Sequence, residues 1–96
     1  MSEDELQIRE RAWVGDAVLC LFARRWVLAQ DGKMDGERVI RLTSNKFLSA
    51  LGNPTKVEAQ IGAVFEQEGL SAAFQHIETA LLPLFLKQEK NRRTLK

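Results

Sequence analysis

The chain has one cysteine, one histidine, two prolines and no tyrosine in 96 residues. A single thiol, Cys20, excludes an internal disulfide and suits a reducing compartment. With only His76 beside it, no ligand set for structural zinc exists, since such sites need four nitrogen or sulfur donors. Cys20 lies in an apolar run and reads as an inert core thiol, and His76 as a surface or packing residue. The longest unbroken apolar run is Ala17–Ala23, far short of the ~20 residues of a membrane-spanning helix. The N-terminal segment is acidic, unlike the basic start of a secretory signal. These absences lead us to expect a soluble, cytoplasmic protein.

A hydrophobic content of 45% argues against disorder and for a packed core. At this length the chain is one small domain that buries a modest fraction of its surface, which leaves oligomerisation as a further source of stability. The net charge of +1 is uninformative, but its distribution is not. Ser2 to Glu10 holds Glu3, Asp4, Glu5 and Glu10 against Arg9 alone. Lys87 to Lys96 holds Lys87, Lys90, Arg92, Arg93 and Lys96 against Glu89 alone. We therefore divide the chain into a domain over 1–90 and a basic C-terminal tail over 91–96, which either frays in solvent or touches an anionic polymer.

The periodicity is helical nearly throughout. Ser2 and Glu5 have capping-box spacing and open a first helix through about Leu28. Leu6, Trp13, Ala17, Cys20 or Leu21, and the stem of Arg24 follow a three-to-four spacing that predicts its inner face. Gln30–Gly36 (QDGKMDG) is a turn-rich break. A second helix is expected from about Glu37 to Ala50, closed by Gly52 as a left-handed residue. Asn53 and Pro54 cap and start a third helix, ended by Gly69. Ser71 opens a fourth, and Pro83 kinks it or starts a short fifth, Leu84–Lys90. With no alternating strand pattern, the expected architecture is all-α, a compact bundle of four to five helices.

Two segments place an acid among small residues. AWVGDAVLCL (Ala12–Leu21) sets Gly15 and Asp16 inside the most apolar stretch, and VEAQIGAVF (Val57–Phe65) sets Glu58 near Ala59, Gly62 and Ala63. Glycine costs a helix interior roughly 1 kcal/mol relative to alanine, and an ionised carboxylate withdrawn from water costs several unless compensated. Small residues let helix axes approach more closely than the usual ~8–10 Å, so Asp16 and Glu58 could converge from two helices. A hard divalent cation would resolve the charge conflict, because Mg²⁺ prefers oxygen ligands and often uses only one or two carboxylates. The alternative is that both acids simply face solvent on amphipathic helices.

Ala12–Leu28 (AWVGDAVLCLFARRWVL) resembles the signature helix of the ribonuclease III family, most closely its Mini-III branch. Arg41–Gly52 (RLTSNKFLSALG), with Ser44 and Asn45, resembles the family's second conserved helix. Val57–Pro83 is similar to its acid-bearing helix and the one that follows. The resemblance covers about three quarters of the chain in the family's order. It implies a ribonuclease III-like endonuclease domain in which Asp16 and Glu58 bind the catalytic Mg²⁺, with Mn²⁺ as a substitute. Thr55 stands where longer members carry a second aspartate and Mini-III a hydroxyl residue, beside the ligands rather than among them. Ala12 stands where longer members carry a glutamate and Mini-III a small residue. Trp13 matches the aromatic that packs across the family's homodimer interface.

The implied activity is Mg²⁺-dependent cleavage of double-stranded or structured RNA by a homodimer. Lys46, Lys56, Arg92 and Arg93 are the candidates for phosphate contacts. The chain has no room for the separate double-stranded-RNA-binding domain of longer members. Mini-III shares that absence, and there the implied substrate is a precursor of large-subunit ribosomal RNA. Thirteen residues separate Ser44 from Glu58, where the family usually adds a loop and helical segment that shape the RNA-facing rim. Three readings therefore stay open: the endoribonuclease, a catalytically inactive RNA-binding or dimerisation module of the same fold, and a helical dimer with no RNA role.

Overall fold

Residues 3–94 are described by a computed structural model, and they form six α-helices with no strand among them. The helices are α1 (Glu3–Asp31), α2 (Gly36–Thr43), α3 (Asn45–Ser49), α4 (Pro54–Glu68), α5 (Leu70–Ala80) and α6 (Leu82–Thr94). At ~1.5 Å per residue, the 29 residues of α1 account for most of the 46 Å long axis of a 46 × 25 × 21 Å molecule. The shorter α4, α2 and α5 pack along it, α4 most extensively, while α3 rests on α2 and α4 and α6 on α5. Among the described residues, no helix is long and apolar enough to cross a membrane.

Local chemistry sets most boundaries. Asp35 caps α2 by accepting from the Arg38 N–H at 3.0 Å. Asn53 caps α4 by accepting from the Lys56 N–H at 3.1 Å, with Pro54 in the first turn. Both expectations at Asn53 and Pro54 are met. Gly69 turns α4 into α5 at φ +94°, where a side chain would be strained. The capping box expected at Ser2 lies outside the described residues.

Three expectations are corrected. The second helix is not continuous to Ala50. It breaks at Ser44, whose backbone is extended (ψ 151°) and whose hydroxyl accepts from the Phe47 N–H at 3.1 Å, starting α3. A serine that offers the backbone this partner competes with the helical ladder, and α3 has already ended when the chain reaches Gly52. The second correction concerns α6, which begins at Leu82 and continues to Thr94 rather than stopping at Lys90, so positions 91–94 of the basic segment are helical.

The third correction is the inner face of α1. Leu6, Trp13, Ala17, Leu21 and Arg24 are exposed, and Cys20 is half-buried. The buried stripe is instead Ala12, Gly15, Val18, Leu19, Phe22, Ala23 and Val27. Both stripes satisfy helical spacing because α1 carries apolar residues on two faces. The small residues decide between them, since only they admit α4 at close range.

The core unites Leu19 and Phe22 of α1 with Leu42, Phe47, Leu48, Ile61, Ile77 and Phe85 from the other five helices. Phe85 of α6 is its aromatic hub, meeting Trp26 edge-to-face at 5.9 Å and Phe47 at 5.6 Å, geometry that the ring quadrupole favours. A charged clamp overlies this hub. Arg38 stacks on Trp26 at 4.7 Å and pairs with Asp31 and Glu89, while Arg41 also pairs with Glu89 at 3.0 Å. Burial acts to raise the Glu89 carboxyl, but its bonds to Arg41 and Arg38 overcome this and hold it below its ordinary value. The clamp ties α6 to α1 and α2.

Candidate functional site

The crossing of α1 and α4 is a backbone-to-backbone contact. A Cβ placed on Gly15 would lie 1.8 Å from the Glu58 carbonyl oxygen, and one on Gly62 would lie 2.0 Å from the Arg11 carbonyl oxygen. The contact is reciprocal, because Arg11 and Gly15 are one turn apart on α1, as are Glu58 and Gly62 on α4. Each glycine turns its Cα–H toward the opposite carbonyl, a weak hydrogen-bond geometry that recurs where helices meet closely. Any larger residue at either position would force the helices apart.

This approach sets the geometry of the two acids. Asp16 follows Gly15, and Glu58 itself supplies the carbonyl that Gly15 meets. Their side chains emerge on the same edge of the crossing, Asp16 exposed and Glu58 half-buried. Burial first, then the adjoining Asp16 carboxyl through hydrogen bonding and its charge, push the Glu58 carboxyl up to about 7. Among the described residues, neither acid forms an ion pair with a basic side chain. Two carboxyls held together with no basic partner among the described residues retain a proton near neutral pH, and a cation would relieve the same conflict by replacing it.

The pair offers hard carboxylate oxygens, donors of the type that divalent cations such as Mg²⁺, Mn²⁺ or Ca²⁺ take with water completing the shell. No cluster of three or more His, Cys, Asp or Glu side chains that could hold a metal occurs among the described residues. Cys20, one turn beyond Asp16, has its thiol pushed up by burial and by the Asp16 and Glu58 charges, which keeps it protonated and a poor ligand.

The remaining candidates are scattered. Thr55 is exposed on the first turn of α4, one turn before Glu58, and Lys56 is exposed beside it. Trp13 is 80% exposed and shares the outer stripe of α1 with Leu6, Ala17, Leu21 and Leu28, opposite the face that meets α4. Lys46 and Arg92 line one cavity together with Arg41, Gln88 and Asn91. The Arg93 side chain lies outside what the structure describes. The reading of the sequence missed Arg41, Gln88 and Asn91, for which nothing but their polarity could have served as a signal. It also missed that Cys20, four residues from Asp16, would adjoin the acids, although helical spacing carried that information. No protein-family model, no curated protein and no solved structure matches this chain.

Proposed function

We propose that the protein is a ribonuclease III-like, Mg²⁺-dependent endoribonuclease of the Mini-III type, acting as a homodimer on double-stranded or structured RNA. The observation that carries this reading is the pairing of Asp16 and Glu58 from separate helices, without a basic partner among the described residues, at a crossing that only glycine permits. Asp16 and Glu58 would hold the ion. When bound, it lowers the pKa of water and stabilises the charge that develops on the phosphoryl oxygens.

The chain's own residues do the positioning. Gly15 and Gly62 fix the separation of the helices and so of the two carboxylates, and the half-buried Glu58 is the more firmly oriented of the pair. Thr55 supports the site from the preceding turn. Lys46, Lys56, Arg92 and Arg93 contact backbone phosphates, which suits A-form RNA, a substrate recognised through its shape, phosphates and 2′-hydroxyls. Trp13 and the apolar stripe around it form the dimer contact, so that the exposed ring is buried by a second copy. A precursor of large-subunit ribosomal RNA is the substrate in keeping with this reading.

A second reading, a catalytically inactive RNA-binding or dimerisation module, is favoured by the two-ligand set and the short Ser44–Glu58 connection. Incubation with long double-stranded RNA separates them. The enzyme reading expects cleavage that needs Mg²⁺ and is lost in Asp16→Asn and Glu58→Gln. Retention of RNA on a gel without cleavage at any Mg²⁺ concentration would support the inactive module.

A further inference from the structure

The α2–α3 corner and α6 line an open cavity of about 470 Å³ that shares no residue with the Asp16–Glu58 pair. One wall is a single stripe of α6, because Phe85, Gln88, Glu89 and Arg92 follow i, i+3, i+4, i+7 spacing. The other is the corner created by the break at Ser44, which brings Arg41 at the end of α2 and Lys46 at the start of α3 to the same opening. Phe47 and Phe85, buried and packed edge-to-face, form an apolar floor.

The charge balance of this lining points to an anion. It holds three bases and one acid, and the acid is already committed, since Glu89 bonds Arg41 at 3.0 and 3.2 Å and Arg38 at 3.4 Å. Among the described residues, Lys46 and Arg92 have no acidic partner. Cations at the mouth of a recess with an apolar floor attract an anion more strongly than the same charges on an open surface. The volume falls in the ~300–1,000 Å³ range of small-molecule sites, too large for an inorganic anion alone. The amides of Gln88 and Asn91 add donors and acceptors of the kind that hydroxyls and base edges use.

We propose that this cavity binds a nucleotide, with the phosphate held between Lys46 and Arg92 and the nucleoside lying toward the Phe47–Phe85 floor beside Gln88 and Asn91. The nucleotide is either free or the 5′-phosphorylated end of an RNA strand, and both offer the same chemistry. The proposal shares the phosphate contacts at Lys46 and Arg92 with the nuclease reading but rests on the geometry of this cavity and not on the Asp16–Glu58 pair.

The test is calorimetric titration of the full chain with AMP, with adenosine, and with a 5′-phosphorylated RNA trinucleotide. AMP is expected to bind saturably, at least tenfold more tightly than adenosine. The Lys46→Glu/Arg92→Glu variant, altered only at exposed positions, is expected to keep the wild-type circular dichroism spectrum and weaken AMP binding at least tenfold. Binding of the trinucleotide, displaced by AMP, would identify an RNA end as the ligand, and binding of AMP alone a free nucleotide; either supports the site. Asp16→Asn, which tests the nuclease reading, should leave AMP affinity unaltered. Equal AMP affinity in wild type and the double variant, or no saturable binding of any probe, overturns the proposal.

Discussion

Replacing Gly15 by alanine adds one methyl group where the structure has no room for it. The new Cβ would lie 1.8 Å from the Glu58 carbonyl oxygen and 2.9 Å from the Gly62 nitrogen. Ordinary non-bonded contacts lie near 3.5–4.0 Å, so α1 and α4 must part by roughly 1.5–2 Å. Overpacking a core costs about 1–3 kcal/mol when side chains can rotate away. Here the obstacle is backbone on the opposing helix, which places the cost at or above the top of that range. The better helix propensity of alanine returns about 1 kcal/mol. We expect a net loss of at least about 2 kcal/mol, or ~8–16 °C or more in melting temperature at the ~4–8 °C per kcal/mol typical of a domain this size. Thermal and urea unfolding followed by circular dichroism measure it. Gly36→Ala is the control, because nothing lies within 4 Å of its added Cβ, and it should stay within about 0.5 kcal/mol of wild type. Gly62→Ala should behave like Gly15→Ala. The double variant should cost less than the sum, since one separation of the helices relieves both clashes. A Gly15→Ala protein as stable as wild type would refute the backbone contact, and with it the basis for bringing Asp16 to Glu58.

Without divalent cations, stability should fall as pH rises from about 4.5 to about 7. The folded-state carboxyl of Glu58 is raised from 4.5 to about 7, so the folded state binds more protons over that window and the contribution vanishes as the group ionises. At ~1.4 kcal/mol per pH unit the full effect would be about 3 kcal/mol, and partial exposure of Glu58 reduces it to roughly 1–2 kcal/mol. Urea unfolding in EDTA across this range should decline in wild type and be flatter in Glu58→Gln; parallel profiles would count against the pairing. Trp13→Ala should leave urea unfolding of the separated subunit within about 0.5 kcal/mol, because the ring is 80% exposed, yet shift sedimentation from dimer to monomer. An unaltered sedimentation coefficient would remove Trp13 from the proposed dimer contact.

The crossing of α1 and α4 was legible in the sequence as one of two readings: Gly15 beside Asp16 in an apolar stretch and Gly62 one turn from Glu58 suit close approach, while solvent-facing acids on amphipathic helices suit the same pattern. The core face of α1 was not. Apolar residues at Leu6, Trp13, Leu21 and Leu28 compete with those at Val18, Leu19, Phe22 and Val27, and spacing alone cannot rank the two stripes. Packing against α4 does. The break at Ser44 left a trace in the string Thr43-Ser44-Asn45, three residues whose side chains compete for backbone hydrogen bonds. That signal was weaker than the apolar periodicity running across it. The Arg38–Arg41–Glu89 clamp joins positions 48 and 51 residues apart, and no local pattern announces a partner at that distance. The nucleotide cavity inherits both difficulties, since it exists only because the chain turns at Ser44 and α6 continues past Lys90.

The central claim is that Asp16 and Glu58 form one cation site, and the titration of the Glu58 carboxyl tests it most directly. Carboxyl ¹³C NMR of the metal-free protein should place Glu58 near pH 7, and Asp16→Asn should move it toward the ordinary glutamate range. Added Mg²⁺ should lower it and release a proton at pH 6.5. A Glu58 that titrates at its ordinary value, unmoved by Asp16→Asn and by Mg²⁺, would contradict the account.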